Sequence, residues 1–181
     1  MLSISKVLQK YNKITLVKLY VNSLHDNLNL KNIYVDAANN HNKNIYNLKD
    51  DYRNYDNIYH FELFSPKKMH NTLCERQIKI DYDIICSATK ITNDTSYPSC
   101  LFLIPSHNIS KSKLRVTNPI QIIEPFDKRH ITATFLAKEI TEINKHERNV
   151  KICSPSLTPL IINVVDTIDG LDYEEKIIYN K

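Results

Sequence analysis

Glu62 lies inside HFELF, Glu124 follows the apolar stretch IQII and precedes a proline, and Asp127 comes three residues later. A carboxylate at the end of a buried strand can take a proton from water as a general base, or hold a hydrated metal ion. The same carboxylate can equally be a turn cap, and the pattern leaves both readings open. His107, in IPSHNIS, and His130, in KRHIT, are the histidines nearest this region; each is either a proton carrier or a structural side chain. Tyr52, Tyr55 and Tyr59 either stack on a base or cover a loop. No Ser-His-Asp arrangement and no HExxH helix is visible.

Composition narrows the chemistry further. The chain has 181 residues and a single glycine, Gly170. Phosphate cradles need backbone that approaches a ligand closely or turns with positive φ, and glycine is the usual residue there. A P-loop, a dinucleotide fingerprint and a nucleophile elbow each need several glycines, so all are excluded. Lys and Arg number 24 against 20 Asp and Glu, for a net charge of +4, which is no strong nucleic-acid footprint. The basic clusters Lys111–Lys113–Arg115 and Lys128–Arg129–His130 are either solvated loops or anion contacts. Cys74, Cys86, Cys100 and Cys153 lack CxxC spacing, which argues for buried free thiols in a reducing compartment. No apolar run reaches the ~18 residues of a membrane span. The start, MLSISKVLQKYNK, is expected to carry no secretory signal.

The elements that must position these residues are mostly short strands. Ile4, Val7, Leu8 and Tyr11 carry a helical spacing, so residues 1–13 are a short helix or a loose arm. ITLVKLYV (14–21) reads as a strand. Leu30, Ile33, Tyr34, Ala37, Ala38 and His41 share one helical face, which predicts a helix over 28–41. The polar stretch 42–57 predicts a loop. Then come strands at 59–65, at 77–88 with strict alternation of Ile78, Ile80, Tyr82 and Ile84, and at 100–105, 119–124, 130–137, 149–154 and 160–166. Short strands at this density predict a mainly β domain, a sandwich, jelly roll or small barrel, spanning 14–166. The tail 167–181 is expected to be a mobile arm.

The order of segments resembles the dUTPase family, in particular the dUTPase-like proteins of large DNA viruses, from about residue 28 to about 166. LKNIYVDAANNHNKNI resembles the helix that precedes the first motif in that viral group. HFELFSP resembles the first motif, IPSHNISKSKLRVTN the second, TNPIQIIEPFDKRHITATF the third and ERNVKICSPSLTPL the fourth. The resemblance implies a homotrimer of β jelly rolls with each site at a subunit boundary. It implies a Mg²⁺ bridging the phosphates and a carboxylate that orients the attacking water.

Residue by residue, the resemblance puts Glu124 at the catalytic carboxylate, one methylene longer than the usual Asp. Asn118 matches the uracil-side Asn. Gln121 falls on a hairpin glycine, and Asp127 on the tyrosine that packs against deoxyribose. Ser106 stands at the phosphate-binding Arg, and His107 at the Ser beside it. Glu62 stands at the first-motif Asp and would be the metal-side carboxylate. Arg148 matches the fourth-motif Arg, and Lys151 replaces its Gln. The glycine-rich fifth motif has no counterpart. The expectation is a pseudoenzyme that acts as a binding, interaction or structural trimer. Its partners would be a nucleotide or a viral or host protein, with no membrane and no specific nucleic acid. It would lie in the cytoplasm of an infected cell or in the virion. The other expectation is a divergent Mg²⁺-dependent diphosphohydrolase that uses Glu124 and releases pyrophosphate.

Overall fold

The computed structural model describes residues 4–22, 28–47, 58–72 and 76–172. Among these residues the chain is mainly β, with two α-helices near the N-terminus. Helix α1 is Ile4–Tyr11. Its amphipathic spacing buries Val7 and Leu8. Asn12 ends it with a φ of 60° and returns its N–H to the Leu8 carbonyl at 2.8 Å. That is a helix C-cap made with asparagine where glycine is usual.

Strand β1 (Lys13–Val21) is central in the largest of the sheets. It pairs in parallel with β13 (Leu160–Val165) and antiparallel with β5 (Ile84–Thr92), which carries the short β6 (Ser96–Pro98) on its other side. A second four-stranded sheet runs β2 (His60–Phe64), β12 (Arg148–Cys153), β7 (Leu101–Pro105) and β9 (Gln121–Ile123). A third sheet places β10 (Thr132–Ala137) between β4 (Gln77–Asp81) and β8 (Leu114–Val116). The antiparallel pair β3 (Met69–Asn71) and β11 (Thr141–Ile143), distant in sequence, completes the set. The short strands β3, β6, β8 and β11 were not legible in the sequence, because three residues are too few to show a period.

Two expectations change. The alternating run 77–88 is two strands, β4 and β5, in different sheets. Asp83 has a φ of 55° and breaks the run. The Tyr82 N–H leaves for the Ile131 carbonyl at 3.0 Å, and the Ile131 N–H meets the Ile84 carbonyl at 2.8 Å. The alternation persists across the break because both sheets border one core: Ile78, Ile80, Tyr82 and Ile84 are all buried. The second change is helix α2 (Leu28–Asn47), which continues six residues past His41 into the expected loop. Ile45 carries its apolar face onward and is buried. The rest of that expected loop, residues 48–57 with Tyr52 and Tyr55, lies outside the described residues, as do Cys74 and residues 173–181 of the tail.

The core has two parts. The larger gathers side chains from α2 and all four sheets, including Tyr34, Tyr82, Phe135, Leu63 and Ile152. The smaller joins Val7 and Leu8 of α1 to Ile14, Ile45, Ile58, Ile91 and Ile161. Helix α2 therefore reaches into both. It also closes the free edge of β13: the Asn42 amide donates to the Ile162 carbonyl at 2.7 Å and accepts the Ile162 N–H at 2.9 Å. Beside it, the His41 Nε2–H donates to the Leu160 carbonyl at 2.9 Å. An uncovered edge strand presents unpaired backbone groups, and these side chains pair them.

Candidate functional site

Alternation along β2 sends Phe61 and Leu63 to the core and Glu62 to the other face. Directly across the sheet Glu62 faces Lys151 of β12. Both Glu62 oxygens are engaged by other groups. The buried Ser106 hydroxyl donates to Oε1 at 2.9 Å, and Arg148 Nη1 donates to Oε2 at 2.9 Å. The Ser106 N–H is fixed in turn on the Asn149 carbonyl at 2.9 Å. His107 follows at the exposed start of a short 3-10 turn, His107–Lys111. Three residues distant in sequence, Glu62, Ser106 and Arg148, are thus one hydrogen-bonded unit.

Helix α2 crosses in front of this unit and leaves a groove of about 500 Å³. Asn40, His41, Asn44, His60, Glu62, His107, Arg148 and Lys151 supply its polar lining. His41 is edge-on to Phe61 with ring centres 5.5 Å apart. Burial lowers its pKa to about 4, so its imidazole is neutral at physiological pH and serves as a backbone donor.

Asn118 and Gln121 lie elsewhere. Both are exposed and stand at the rim of a separate cavity of about 430 Å³. Its lining includes Leu103, Val150 and Ala133 from the core, with Thr132 and Thr134 of β10. The two cavities share no lining residue.

Glu124, just past β9, is exposed and lines neither cavity. Its carbonyl accepts the Asp127 N–H at 3.2 Å, which closes a turn through Pro125 and Phe126. Asp127 is clamped within its own turn. Arg129 donates Nε to Oδ1 at 2.9 Å and Nη2 to Oδ2 at 2.8 Å. The hydrogen bonds from that guanidinium hold the Asp127 carboxyl below the usual carboxylate range. The predicted residues therefore form three groups on one chain: Glu62, Ser106 and Arg148 with His107 beside them; Asn118 with Gln121; and the turn bearing Glu124 and Asp127.

The remaining candidates are largely paired. Lys113 meets Glu139 at 2.8 Å, Lys128 meets Asp172 at 2.8 Å, and His130 Nδ1 meets Asp81 at 3.2 Å. Cys86 and Cys153 are buried free thiols, and burial pushes the Cys86 thiol up to about 12. A protonated, enclosed thiol is a poor nucleophile.

Two groupings escaped the sequence reading. Asp81, Asp83 and His130 bring ligand-type atoms within 4.8 Å of one another. Their closeness is accounted for by the His130–Asp81 pair and by the Asp83 N–H on Asp81 Oδ1 at 2.9 Å. The groove partners His60, Asn40, Asn44 and Lys151 were also missed as a set. Only the contact of α2 with the β2–β12 face unites them, and no local spacing signals it. At Glu62, the Mg²⁺ that the resemblance implies would meet two oxygens that each already accept one hydrogen bond and keep a further lone pair.

No family model matches the sequence, and no curated protein matches it. Among solved structures, the chain is similar to a mutant dUTPase from phage phi11 of S. aureus, whose description concerns coordination of a structural Mg(II) ion. The identity is 11%, the TM-score 0.42, and the match covers 71% of this chain and 88% of that one. It is also similar to a mutant dUTPase of Staphylococcus bacteriophage 80alpha, at 11% identity and a TM-score of 0.41, covering 70% of this chain and 89% of that one.

Proposed function

We propose that this chain is a dUTPase-like protein that has kept its scaffold, lost dUTP hydrolysis, and acts by binding, as a homotrimer. The observation that carries the reading is the closed unit Glu62–Ser106–Arg148. Ser106, at the phosphate-binding Arg position, and Arg148, at the fourth-motif Arg, are held by a carboxylate of their own chain. A triphosphate would have to displace Glu62 to reach them, and Glu62 would repel it. Asp127, at the sugar-packing position, is a clamped anion that cannot stack on deoxyribose. Asn118 and Gln121 still border a cavity large enough for a base.

One observation favours the enzymatic alternative: Glu124 is exposed and unengaged by any cation among the described residues. A second copy could therefore receive it at a subunit boundary, which would bring the groups separated on one chain together. Pyrophosphate release from dUTP with Mg²⁺, against a Glu124→Gln control, separates the readings. The expected result is no turnover above the control at high protein concentration. Turnover that Glu124→Gln abolishes would return the chain to the hydrolases.

A further inference from the structure

We propose that the outer face of the β4–β10–β8 sheet docks an acidic, partly apolar segment of a partner protein. This names the kind of partner a binder would take, and rests on the binder reading only in expecting one. The first argument is charge complementarity. Alternation buries Ile78 and Ile80 of β4, Ala133, Phe135 and Ala137 of β10, and Leu114 of β8. The intervening side chains face outward. Pairing places Arg115 of β8 directly across from Leu136 of β10. Leu136 opposes Gln77 on the other side, so Lys79 of β4 is its diagonal neighbour. Lys138 is the next outward residue after Leu136, and its N–H still reaches the Lys113 carbonyl at 3.0 Å. Three cations thus surround one aliphatic side chain, and among the described residues none of the three has an ion pair. The acids beside them are engaged, Glu139 by Lys113 and Asp81 by His130. Lys79 also lines the Asn118–Gln121 cavity, whereas Arg115 and Lys138 line neither that cavity nor the Glu62 groove.

The second argument is the surface between the charges. Leu136 is half-buried, and Ile140, two residues past Lys138, is 64% exposed. Thr132 and Thr134 fill the rest of the outward row on β10. Among the described residues of this face no aromatic ring points outward, so bases would find nothing to stack on. A nucleic acid would engage the cations alone and leave Leu136 and Ile140 in water. A peptide with carboxylates on either side of an apolar residue uses both. Lys79 and Arg115 lie on the two strands that flank β10, which sets them on the order of 10 Å apart. An extended segment repeats its side chains on one face every ~6.8 Å, so carboxylates two to four residues apart reach both cations.

The test is titration of the full chain with a peptide of Glu-Glu-Leu repeats, followed by amide chemical shifts. Saturable shifts at Thr134, Leu136, Lys138 and Arg115 are expected, and added salt should weaken the binding. Arg115→Gln combined with Lys138→Gln should weaken it about tenfold, and Ile140→Ser should weaken it as well. Lys6→Gln, on α1, should change nothing. All four positions are exposed, so the fold is expected to tolerate these changes. No saturation by about 1 mM peptide would overturn the proposal. So would an unchanged affinity in the double variant, or equal shifts from a peptide of Lys-Lys-Leu repeats. Oligothymidylate that binds this face more tightly than the acidic peptide would overturn it in favour of a nucleic acid. Turnover of dUTP measured in the same sample bears on the binder reading alone. Shifts in a hydrolysing protein would uphold this surface and overturn that reading; no turnover and no shifts would do the reverse.

Discussion

Ser106 is 3% exposed, and its hydroxyl has Glu62 as its acceptor. Removing that acceptor would leave a buried donor unpaired, at a cost of about 1–3 kcal/mol. Glu62→Ala should therefore lower urea stability by that order, and Glu62→Gln, which retains an acceptor oxygen, by less. His41 makes a pH prediction with a definite sign. Its folded pKa is lowered to about 4 by burial, whereas an exposed histidine titrates near ~6.5. Between those values the unfolded chain binds the extra proton, so stability falls as pH falls through this window. At pH ~5 the loss from this residue is on the order of 2 kcal/mol. His146 is shifted down as well, also by burial, and adds the same sign. Urea unfolding at neutral pH and near pH ~5 should show this slope, and His41→Gln, which keeps a donor for Leu160, should flatten it.

At the level of elements, α2 both packs the core and closes a sheet. Its Asn42 amide makes both hydrogen bonds that a neighbouring strand would make to Ile162. Asn42→Leu should destabilise by about 2–3 kcal/mol, since two backbone groups lose their partners, and amide exchange at Ile162 should accelerate. The sequence shows α2 through Leu30, Tyr34 and Ala38 but not its role at the edge, because Asn and His on a polar face look like solvated residues. The β4–β5 break was hidden for a different reason. Asp83 turns the chain with a positive φ that glycine normally takes, and the run on either side keeps its alternation. In a chain with one glycine, Asn12, Asp83, His146 and Leu157 adopt positive φ instead. Turn signals based on glycine are therefore silent here.

For the whole molecule, the separation of the candidate groups is the central fact. Glu124 lies in neither the Asn118–Gln121 cavity nor the Glu62 groove. A composite site would need at least a second copy. The homotrimer proposed above predicts a light-scattering mass near three times 21.2 kDa. A monomer at that concentration would sink the trimer and, with it, the enzymatic alternative. Ile120, Ile122 and Phe126, each more than half exposed, flank Glu124. They give that turn an apolar character in the isolated chain.

Period and composition alone determined that this is a mainly β chain with an amphipathic helix ahead of its strands, and that the several glycines of a P-loop or dinucleotide fingerprint are missing. Both follow from local rules: side chains alternate along strands, recur every 3.6 residues on helices, and cannot replace glycine in a phosphate cradle. Only the tertiary structure decided what the polar residues do. Glu62, Ser106 and Arg148 are far apart in sequence, and their union depends on β2, β12 and the end of β7 lying side by side. Lys151 and the α2 amides meet only because the helix crosses that face. Side-chain identity sets which contacts are chemically allowed, but strand pairing and helix docking set which of them form.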